Sequence, residues 1–214
     1  MNSQPLILFD WDLTLVDSEY QKVHVFLHAF FRSLPYSLFV LHKLKDVFHM
    51  NVVDFVKIMH AGSTMSKDDI LDEYHKKCVK YSGSVVFKGL NVLRTLKKRG
   101  FKVGIITNDY APNIRYICKK YRVKVEYIAD TMLVPGKPSP VSLQVALKQF
   151  HVNPKNSFYI GDAPTDILSG KRAGVKTIAL KTLYHSRKTL KRKHPDFIIN
   201  DINDVIDIVT RKEF

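Results

Sequence analysis

The sequence LILFDWDLTLVD, residues 6–17, is the most informative segment for the fold. Its first four residues are apolar and predict a buried β-strand over residues 6–9. Asp10 and Asp12 follow at once, and side chains two residues apart share one side of an extended chain. Ligands of open α/β sheets bind beyond the carboxyl ends of strands, so the two carboxylates are candidates for holding a hard cation such as Mg²⁺. By itself, the pattern also fits a solvated acidic turn.

The composition is that of a globular protein with a basic surface. The chain has 214 residues, and 45% of them are hydrophobic. This length exceeds the usual size of one domain and predicts either one domain with an insertion or one and a half domains. Its 34 Lys and Arg against 20 Asp and Glu give a net charge of +14, which attracts anions such as phosphate esters or nucleic acids. No membrane-length apolar run and no secretory signal occur, so we expect a cytoplasmic protein. Cys78 and Cys118 lack a metal-like spacing and are predicted to be reduced thiols.

Two kinds of pattern divide the rest of the chain. Residues 18–84 have apolar positions at three- and four-residue intervals, which predicts an all-helical insertion of three or four helices. From Val85 onward, short apolar runs alternate with helical segments, as is typical of βαβ units and a parallel sheet. We therefore predict an α/β fold, with a Rossmann-like three-layer core formed by residues 1–17 and 85–214. The insertion is predicted to form a separate helical unit.

The predicted elements can be given by residue range. The helices of the insertion are expected to begin near residues 19, 38, 53 and 66, the last one capped by Ser66. The strands that follow the first are predicted at residues 103–107, 127–129, 157–160, 176–180 and 197–199. The helices between and after them are predicted at residues 90–99, from 112, 139–150, 164–173 and 203–211.

Polar residues of complementary chemistry follow four of these strands. They are Asp10 and Asp12, Thr107 and Asn108, Lys137, and Asp162 and Asp166. Since the carboxyl ends of parallel strands share one edge of a sheet, these side chains are expected to converge. Together they suit phosphoryl transfer, because carboxylates can hold a metal or attack phosphorus, and the other groups can bind and neutralise phosphoryl oxygens.

The segments that carry these residues resemble the four motifs of the haloacid dehalogenase (HAD) superfamily. DWDLTLVD, TN, GKPSP and GDAPTD occur in the family's order, and the downstream layout is most similar to phosphoglycolate phosphatase-like members. The resemblance covers nearly the whole chain and implies that the helical insertion is the family's cap. It departs from the commonest pattern at Leu13, where glycine is usual. It implies a hydrolase that cleaves a small phosphomonoester through an aspartyl-phosphate, with Mg²⁺ as cofactor.

The resemblance also implies a role for each motif residue. Asp10 would be the nucleophile, and Asp12 would be the general acid and base. Lys137 would neutralise the phosphoryl oxygens, so the catalytic residues implied are Asp10, Asp12 and Lys137. The residues implied to bind the substrate phosphate are Thr107, Asn108 and Lys137. The metal ligands implied are Asp10, the backbone carbonyl of Asp12, Asp162 and, from nearby, Asp166.

Other activities of this fold are alternatives. The acid at Asp12 argues against the dehalogenase branch of the superfamily. The phosphonate-cleaving branch uses a cap lysine as a Schiff base, but the eight lysines of the insertion, Lys22 among them, lack an apolar context and are predicted to lie on solvated faces. A phosphomutase stays an alternative, and so does a catalytically idle basic module that binds nucleic acid or an acidic protein.

The segment KTLYHSRKTLKRKH, residues 181–194, has six Lys and Arg and no acid. We favour a solvated loop between two strands over a nucleic-acid surface, because Tyr184 is its one aromatic residue. In HAD relatives this region lies near the rim of the active site, so contact with an anionic substrate is an intermediate interpretation. The expected partner is a small phosphorylated metabolite. Membrane binding is not expected, and nucleic-acid binding is possible but not favoured. The protein is expected to be a monomer or a dimer.

Overall fold

The computed structural model describes residues 5–30, 52–61, 64–129 and 134–211, and a parallel sheet lies at the centre of them. Its strands are β1 (Leu6–Phe9), β2 (Lys102–Ile105), β3 (Tyr127–Ile128), β4 (Phe158–Gly161), β5 (Lys176–Leu180) and β6 (Phe197–Ile199). The strand order is β3-β2-β1-β4-β5-β6. β1 is fully buried and pairs with β2 on one side and with β4 on the other. The chain crosses between the two halves of the sheet at β1, and such a point is where α/β sheets bind ligands.

Helices cover both faces of the sheet and make up the described part of the insertion. In the described ranges they are α1 (Glu19–Phe30), α2 (Val52–Ala61), α3 (Lys67–Lys80), α4 (Leu90–Lys98), α5 (Ala111–Lys120), α6 (Val141–Phe150), α7 (Pro164–Ala173), α8 (Arg187–Lys191) and α9 (Asp204–Thr210). Ile7 and Phe9 belong to the apolar cluster of Leu93 in α4. Leu6 and Leu8 belong to another cluster on α6. A strand buried on both faces needs a continuous apolar sequence, and LILF supplies it. The α/β fold is confirmed.

The three described helices of the insertion pack around an apolar cluster of their own. It consists of Val25, Val52, Phe55, Val56, Ile70, Leu71, Tyr74 and Cys78. Ser66 caps α3 as predicted, since its Oγ accepts a hydrogen bond from the backbone N–H of Asp69 at 3.1 Å. The helix predicted from residue 38 lies outside the described residues. The boundaries of the cap, residues 18–84, stay a prediction.

The basic segment 181–194 is only in part the solvated loop that the sequence predicts. Its second half forms the short helix α8, which begins after Ser186. The Oγ of Ser186 accepts a hydrogen bond from the backbone N–H of Thr189 at 3.2 Å and so caps the helix. Leu190 is fully buried against Ile167 and Ala179. One buried leucine therefore anchors this basic segment on the core.

The two cysteines are buried free thiols, as predicted. Cys78 belongs to the apolar cluster of the insertion. Cys118, in α5, belongs to the cluster that contains Ile7 and Phe9. Burial raises the pKa of Cys118 to about 12, so its thiol stays protonated and unreactive at neutral pH. Among the described helices, none has the length and apolar character that crossing a membrane requires.

Candidate active site

The carboxyl ends of the three central strands meet at one pocket of about 400 Å³. Phe9 at the end of β1 pairs with Ile105 of β2 and with Ile160 of β4, so the residues that follow these strands lie side by side. All seven residues singled out in the sequence line this pocket: Asp10, Asp12, Thr107, Asn108, Lys137, Asp162 and Asp166. The convergence expected from the strand ends is therefore present in the structure.

Asp10 lies at the floor of the pocket and is 5% exposed. Its Oδ1 accepts a hydrogen bond from the Nζ of Lys137, and its Oδ2 lies 3.4 Å from the Oγ1 of Thr14. Burial raises the pKa of Asp10 to about 7; Lys137 lowers it, and the carboxylate of Asp166 raises it further. A second cation near Asp10 would favour its charged form, the form that can attack phosphorus.

The raised pKa of Asp10 predicts that the metal-free protein loses stability as the pH rises from about 4 to about 7. Over this range the folded protein retains a proton on Asp10, whereas an unfolded chain with the ordinary pKa of 3.8 has lost it. The free energy of unfolding therefore falls with pH, and the fall should be smaller in Asp10→Asn. Urea unfolding in EDTA at several pH values measures it, with the exposed Asp204→Asn as control. Equal pH dependence in the parent and Asp10→Asn would contradict the prediction.

Lys137 joins the carboxylates of Asp10 and Asp166. Its Nζ lies 2.8 Å from the Oδ1 of Asp166, and its side chain is 7% exposed. Burial opposes its charge, but the two carboxylates outweigh burial and raise the pKa of Lys137 above its ordinary value. Its backbone N–H donates to the Oδ1 of Asn108 at 2.9 Å, which fixes the loop on the end of β2. The side chain of Lys137 is therefore fixed in place and positively charged at neutral pH.

Thr107 and Asn108 connect the end of β2 to the pocket. The Oγ1 of Thr107 accepts a hydrogen bond from the backbone N–H of Asp109 at 3.0 Å. The hydroxyl of Thr107 can still donate a hydrogen bond to a ligand. The Oδ1 of Asn108 accepts from Lys137, so its amide N–H groups are the ones that can face a ligand. A Cβ at Gly136 would lie 2.9 Å from the Oδ1 of Asn108, which explains the glycine before Lys137.

The GDAPTD motif builds the wall of the pocket after β4. The Oδ2 of Asp166 accepts the backbone N–H of Ala163 at 2.9 Å at the start of α7, and its Oδ1 accepts the hydroxyl of Tyr159 at 2.9 Å. A Cβ at Gly161 would come within 2.4 Å of the side chain of Asp166. Glycine at 161 therefore allows the aspartate five residues later to fold back against the strand.

Asp10, Asp162 and Asp166 fit a divalent metal ion. One carboxylate oxygen of each lies within 4.8 Å of the others, and all three residues are buried. Burial, followed by the charges of Asp10 and Asp166, raises the pKa of Asp162 well above its ordinary value. When ionised, these three buried carboxylates carry more negative charge than Lys137, which pairs with Asp10 and Asp166, can neutralise. Oxygen is also the ligand atom that Mg²⁺ prefers. The donor set therefore fits Mg²⁺.

Asp12 does not point into this carboxylate group. Its Oδ1 accepts the hydroxyl of Ser18 at 2.5 Å, and its Oδ2 pairs with the Nζ of Lys22 at 2.6 Å. The prediction of a solvated Lys22 is wrong, because Lys22 is 8% exposed and lines the pocket. Burial opposes the charge of Lys22, but Asp12 and Asp109 raise its pKa above the ordinary value. A protonated lysine cannot form a Schiff base, so Lys22 does not support the phosphonate-cleaving alternative.

Leu13 makes the turn that follows the two acids. Its φ is +62°, in the left-handed region that favours glycine, which agrees with the usual glycine of the family motif. Its N–H donates to the carbonyl of Val16 at 2.7 Å and closes the turn. The turn brings the Oγ1 of Thr14 to 3.4 Å from carboxylate oxygens of both Asp10 and Asp162. Thr14 therefore links the ends of β1 and β4.

Further residues at or beside the pocket had not been assigned a role from the sequence. His185 lines the pocket, and Thr182 donates its hydroxyl to the Oδ2 of Asp162 at 3.1 Å. Asp109 is buried behind Asn108 and accepts the hydroxyl of Tyr74 in α3 at 2.8 Å. Asp54 enters from α2. Asp109 could have been found from the sequence, because it follows a strand in a polar segment. No comparable sequence signal pointed to Asp54 in its helix or to Thr182 and His185 in the basic segment.

Comparison with known families decides the identity of this fold. The sequence pattern described as "Haloacid dehalogenase-like hydrolase" matches residues 7–180, which include every motif of the pocket. The chain belongs to the haloacid dehalogenase-like hydrolase family. The resemblance read from the four motifs is thereby confirmed, and with it the prediction that the protein is an enzyme of the hydrolase class. The alternative of a solvated acidic turn at Asp10 and Asp12 is set aside.

Individual relatives agree with this assignment over nearly their full length. The hydrolase is 26% identical over 221 residues to pyrophosphatase PpaX of Bacillus mycoides (strain KBAB4), with 96% of each chain covered. A Bacteroides fragilis structure assigned as a haloacid dehalogenase-like hydrolase has a TM-score of 0.79 at 23% identity, over 95% of this chain and 100% of that one. A predicted phosphoglycolate phosphatase from Haemophilus somnus has a TM-score of 0.72 at 22% identity, over 97% and 99%. These structures establish the fold.

Proposed function

We propose that the protein is a Mg²⁺-dependent phosphatase that hydrolyses a small phosphomonoester through an aspartyl-phosphate on Asp10. The observation that carries the proposal is the position of Asp10, buried at the end of β1 and bonded to Lys137. A carboxylate is a weak nucleophile, so it needs a neutralised phosphoryl group in front of it. Lys137 and the amide and hydroxyl groups that follow β2 supply that environment.

In the first step, a carboxylate oxygen of Asp10 attacks phosphorus, and the bond from phosphorus to the alcohol oxygen breaks. Asp12, two residues away, donates a proton to the leaving oxygen. Lys137 holds the transferred phosphoryl group by its charge, and the donors of Thr107 and Asn108 bind its other oxygens. The products are the alcohol and an aspartyl-phosphate.

In the second step, water attacks the phosphorus of the aspartyl-phosphate. Asp12 now accepts a proton from the water, and the bond between phosphorus and the Asp10 oxygen breaks. Phosphate is released and Asp10 returns as a carboxylate. One carboxyl group therefore serves as acid and then as base, so Asp12 ends the cycle in the state in which it began.

A bound Mg²⁺ would be held by the side chains of Asp10 and Asp162, with Asp166 nearby and the Asp12 carbonyl as a further oxygen. It would supply positive charge in addition to that of Lys137 and Lys22, and so would lower the repulsion between a phosphate dianion and the acids. The activity is expected to vanish in EDTA and to return with Mg²⁺. Full turnover without any divalent ion would contradict the metal assignment.

The bond from Thr182 to Asp162 provides a finer test of the metal site. In Thr182→Val the side chain keeps its shape but no longer donates to Asp162. Loss of a group that orients a metal ligand typically weakens binding about tenfold, so half-maximal activity should need about ten times more Mg²⁺. A Mg²⁺ titration of activity measures this, with Thr95→Val in α4 as control. An unchanged Mg²⁺ requirement would show that the bond does not orient the ligand.

The substrate class is proposed from the relatives and from the pocket. The PpaX relatives are named pyrophosphatases, and one structural neighbour is titled a predicted phosphoglycolate phosphatase. We propose a small phosphomonoester, because the pocket of about 400 Å³ suits a metabolite and not a macromolecule. A cytoplasmic location, and a monomeric or dimeric state, stay predictions.

The experiment is phosphate release from a panel of phosphomonoesters and from pyrophosphate with Mg²⁺, using p-nitrophenyl phosphate as reference. A phosphatase should hydrolyse at least one ester at a Mg²⁺-dependent rate. A phosphomutase such as the β-phosphoglucomutase assigned among the structural neighbours would instead return an isomeric sugar phosphate with little release. An idle basic module would release none and would bind RNA or DNA with a steep dependence on salt.

A further inference from the structure

Asp12 is held by two residues at the start of the cap. Ser18 lies just before α1 and Lys22 lies in its first turn, where the backbone N–H of Lys22 donates to the carbonyl of Ser18 at 2.9 Å. The two side chains contact different oxygens of the Asp12 carboxylate, at 2.5 and 2.6 Å. The side chain of Lys22 is 10% exposed, and that of Asp12 is 16% exposed. The orientation of this carboxylate is therefore set by the first turn of the cap.

A buried acid of the core also attracts Lys22. The buried carboxylate of Asp109, which follows β2, attracts its charge. Asp109 is itself fixed by the hydroxyl of Tyr74 in α3 at 2.8 Å and by the backbone N–H of Tyr110 at 2.6 Å. Lys22 thus pairs with an acid of the first motif and is attracted by an acid after β2. Two cap helices, α1 and α3, take part in holding this arrangement.

We propose that Lys22 is a positioning residue that orients Asp12 for the second step, the hydrolysis of the aspartyl-phosphate. The inference rests on the proposed function. In that step Asp12 must accept a proton from a water molecule aligned with phosphorus, so a small change in its orientation slows the reaction. A carboxylate has about four lone-pair sites, so bonds to Ser18 and Lys22 leave others for the water.

An activated substrate separates the two steps. p-Nitrophenolate is a weak base and leaves phosphorus without needing a proton from Asp12. The value of kcat/KM for p-nitrophenyl phosphate therefore reports attack by Asp10, whereas kcat reports the slower of attack and hydrolysis. A residue that acts only on the second step lowers kcat and KM together and leaves kcat/KM nearly unchanged.

The test compares Lys22→Met with the parent in rapid-mixing assays with Mg²⁺. We expect kcat to fall about 100-fold, within the range of general-base effects, and KM to fall in proportion. A burst of p-nitrophenolate should approach one equivalent per protein, followed by slow turnover. Lys76→Met is the matched control, because Lys76 is 70% exposed in the same cap and pairs with Glu73. It should behave as the parent does.

Two further variants distinguish positioning from loss of structure. Lys22→Arg should recover part of kcat, since a guanidinium can also pair with Asp12. Asp12→Asn should give the same burst, and adding Lys22→Met to it should cost nothing more, because the lysine acts through Asp12. A parallel fall in kcat and kcat/KM without a burst, or an unchanged kcat, would overturn the role of Lys22. A parent that hydrolyses no phosphomonoester would overturn the proposed function itself.

Discussion

Asp10→Asn is expected to lower phosphate release by on the order of 10⁴-fold or more, because an amide oxygen cannot replace a carboxylate as nucleophile. The loss should appear in kcat with every substrate, including activated esters that need no proton donor. It follows from the buried position of Asp10 at the end of β1 and from its bond to Lys137. The measurement is steady-state phosphate release at saturating Mg²⁺.

The matched control for this variant is Asp17→Asn. Asp17 belongs to the same sequence motif, but its carboxylate pairs with Lys88 at 3.0 Å and does not line the pocket. It should keep activity close to that of the parent. Both variants should unfold cooperatively, so that a loss of activity is not a loss of fold. Phosphate release by Asp10→Asn at the rate of the parent would show that Asp10 is not the nucleophile.

Lys137→Met is expected to harm both activity and stability. The variant leaves the buried acids Asp10 and Asp166 without their shared cation. Breaking a buried ion pair by removing one partner typically costs about 3–5 kcal/mol, and kcat should fall at least about 100-fold because the phosphoryl oxygens lose a fixed charge. Urea unfolding in EDTA and the phosphatase assay measure the two effects.

The control for the stability effect is Lys119→Met on the exposed face of α5, which should change the free energy of unfolding by less than about 0.5 kcal/mol. Adding Mg²⁺ should recover part of the stability lost in Lys137→Met, since a divalent ion neutralises the same acids. If Lys137→Met were as stable as the control in EDTA, the lysine would not be neutralising the buried carboxylates.

The core of the fold and the main site residues could be predicted because local patterns determine them. β1, β5 and β6 have the predicted bounds, and α7 begins and ends where Pro164 and Ala173 predict. Parallel strands bring their carboxyl ends to one edge, so residues far apart in sequence could be placed together before their contacts were known. Asp10 and Lys137 are 127 residues apart and still form an ion pair.

The role of Lys22 could not be read from the sequence. A lysine near the start of an amphipathic helix ordinarily faces solvent, and which face of α1 meets the pocket depends on how the cap packs on the core. That packing rests on distant contacts, such as the bond from Tyr74 to Asp109. Thr182 was missed for a similar reason, because it lies in the basic segment 181–194 and its partner, Asp162, follows another strand.

Trapping the phosphorylated protein identifies the nucleophile directly. Asp12→Asn is mixed with p-nitrophenyl phosphate and Mg²⁺, quenched in acid within the burst, digested and analysed by mass spectrometry. This variant should accumulate the intermediate, because the first step needs no acid with this substrate and the second lacks its base. We expect one phosphoryl group on the peptide that contains Asp10, at Asp10 itself. A burst of p-nitrophenolate with Asp10 unmodified, or a phosphoryl group on another residue, would contradict it.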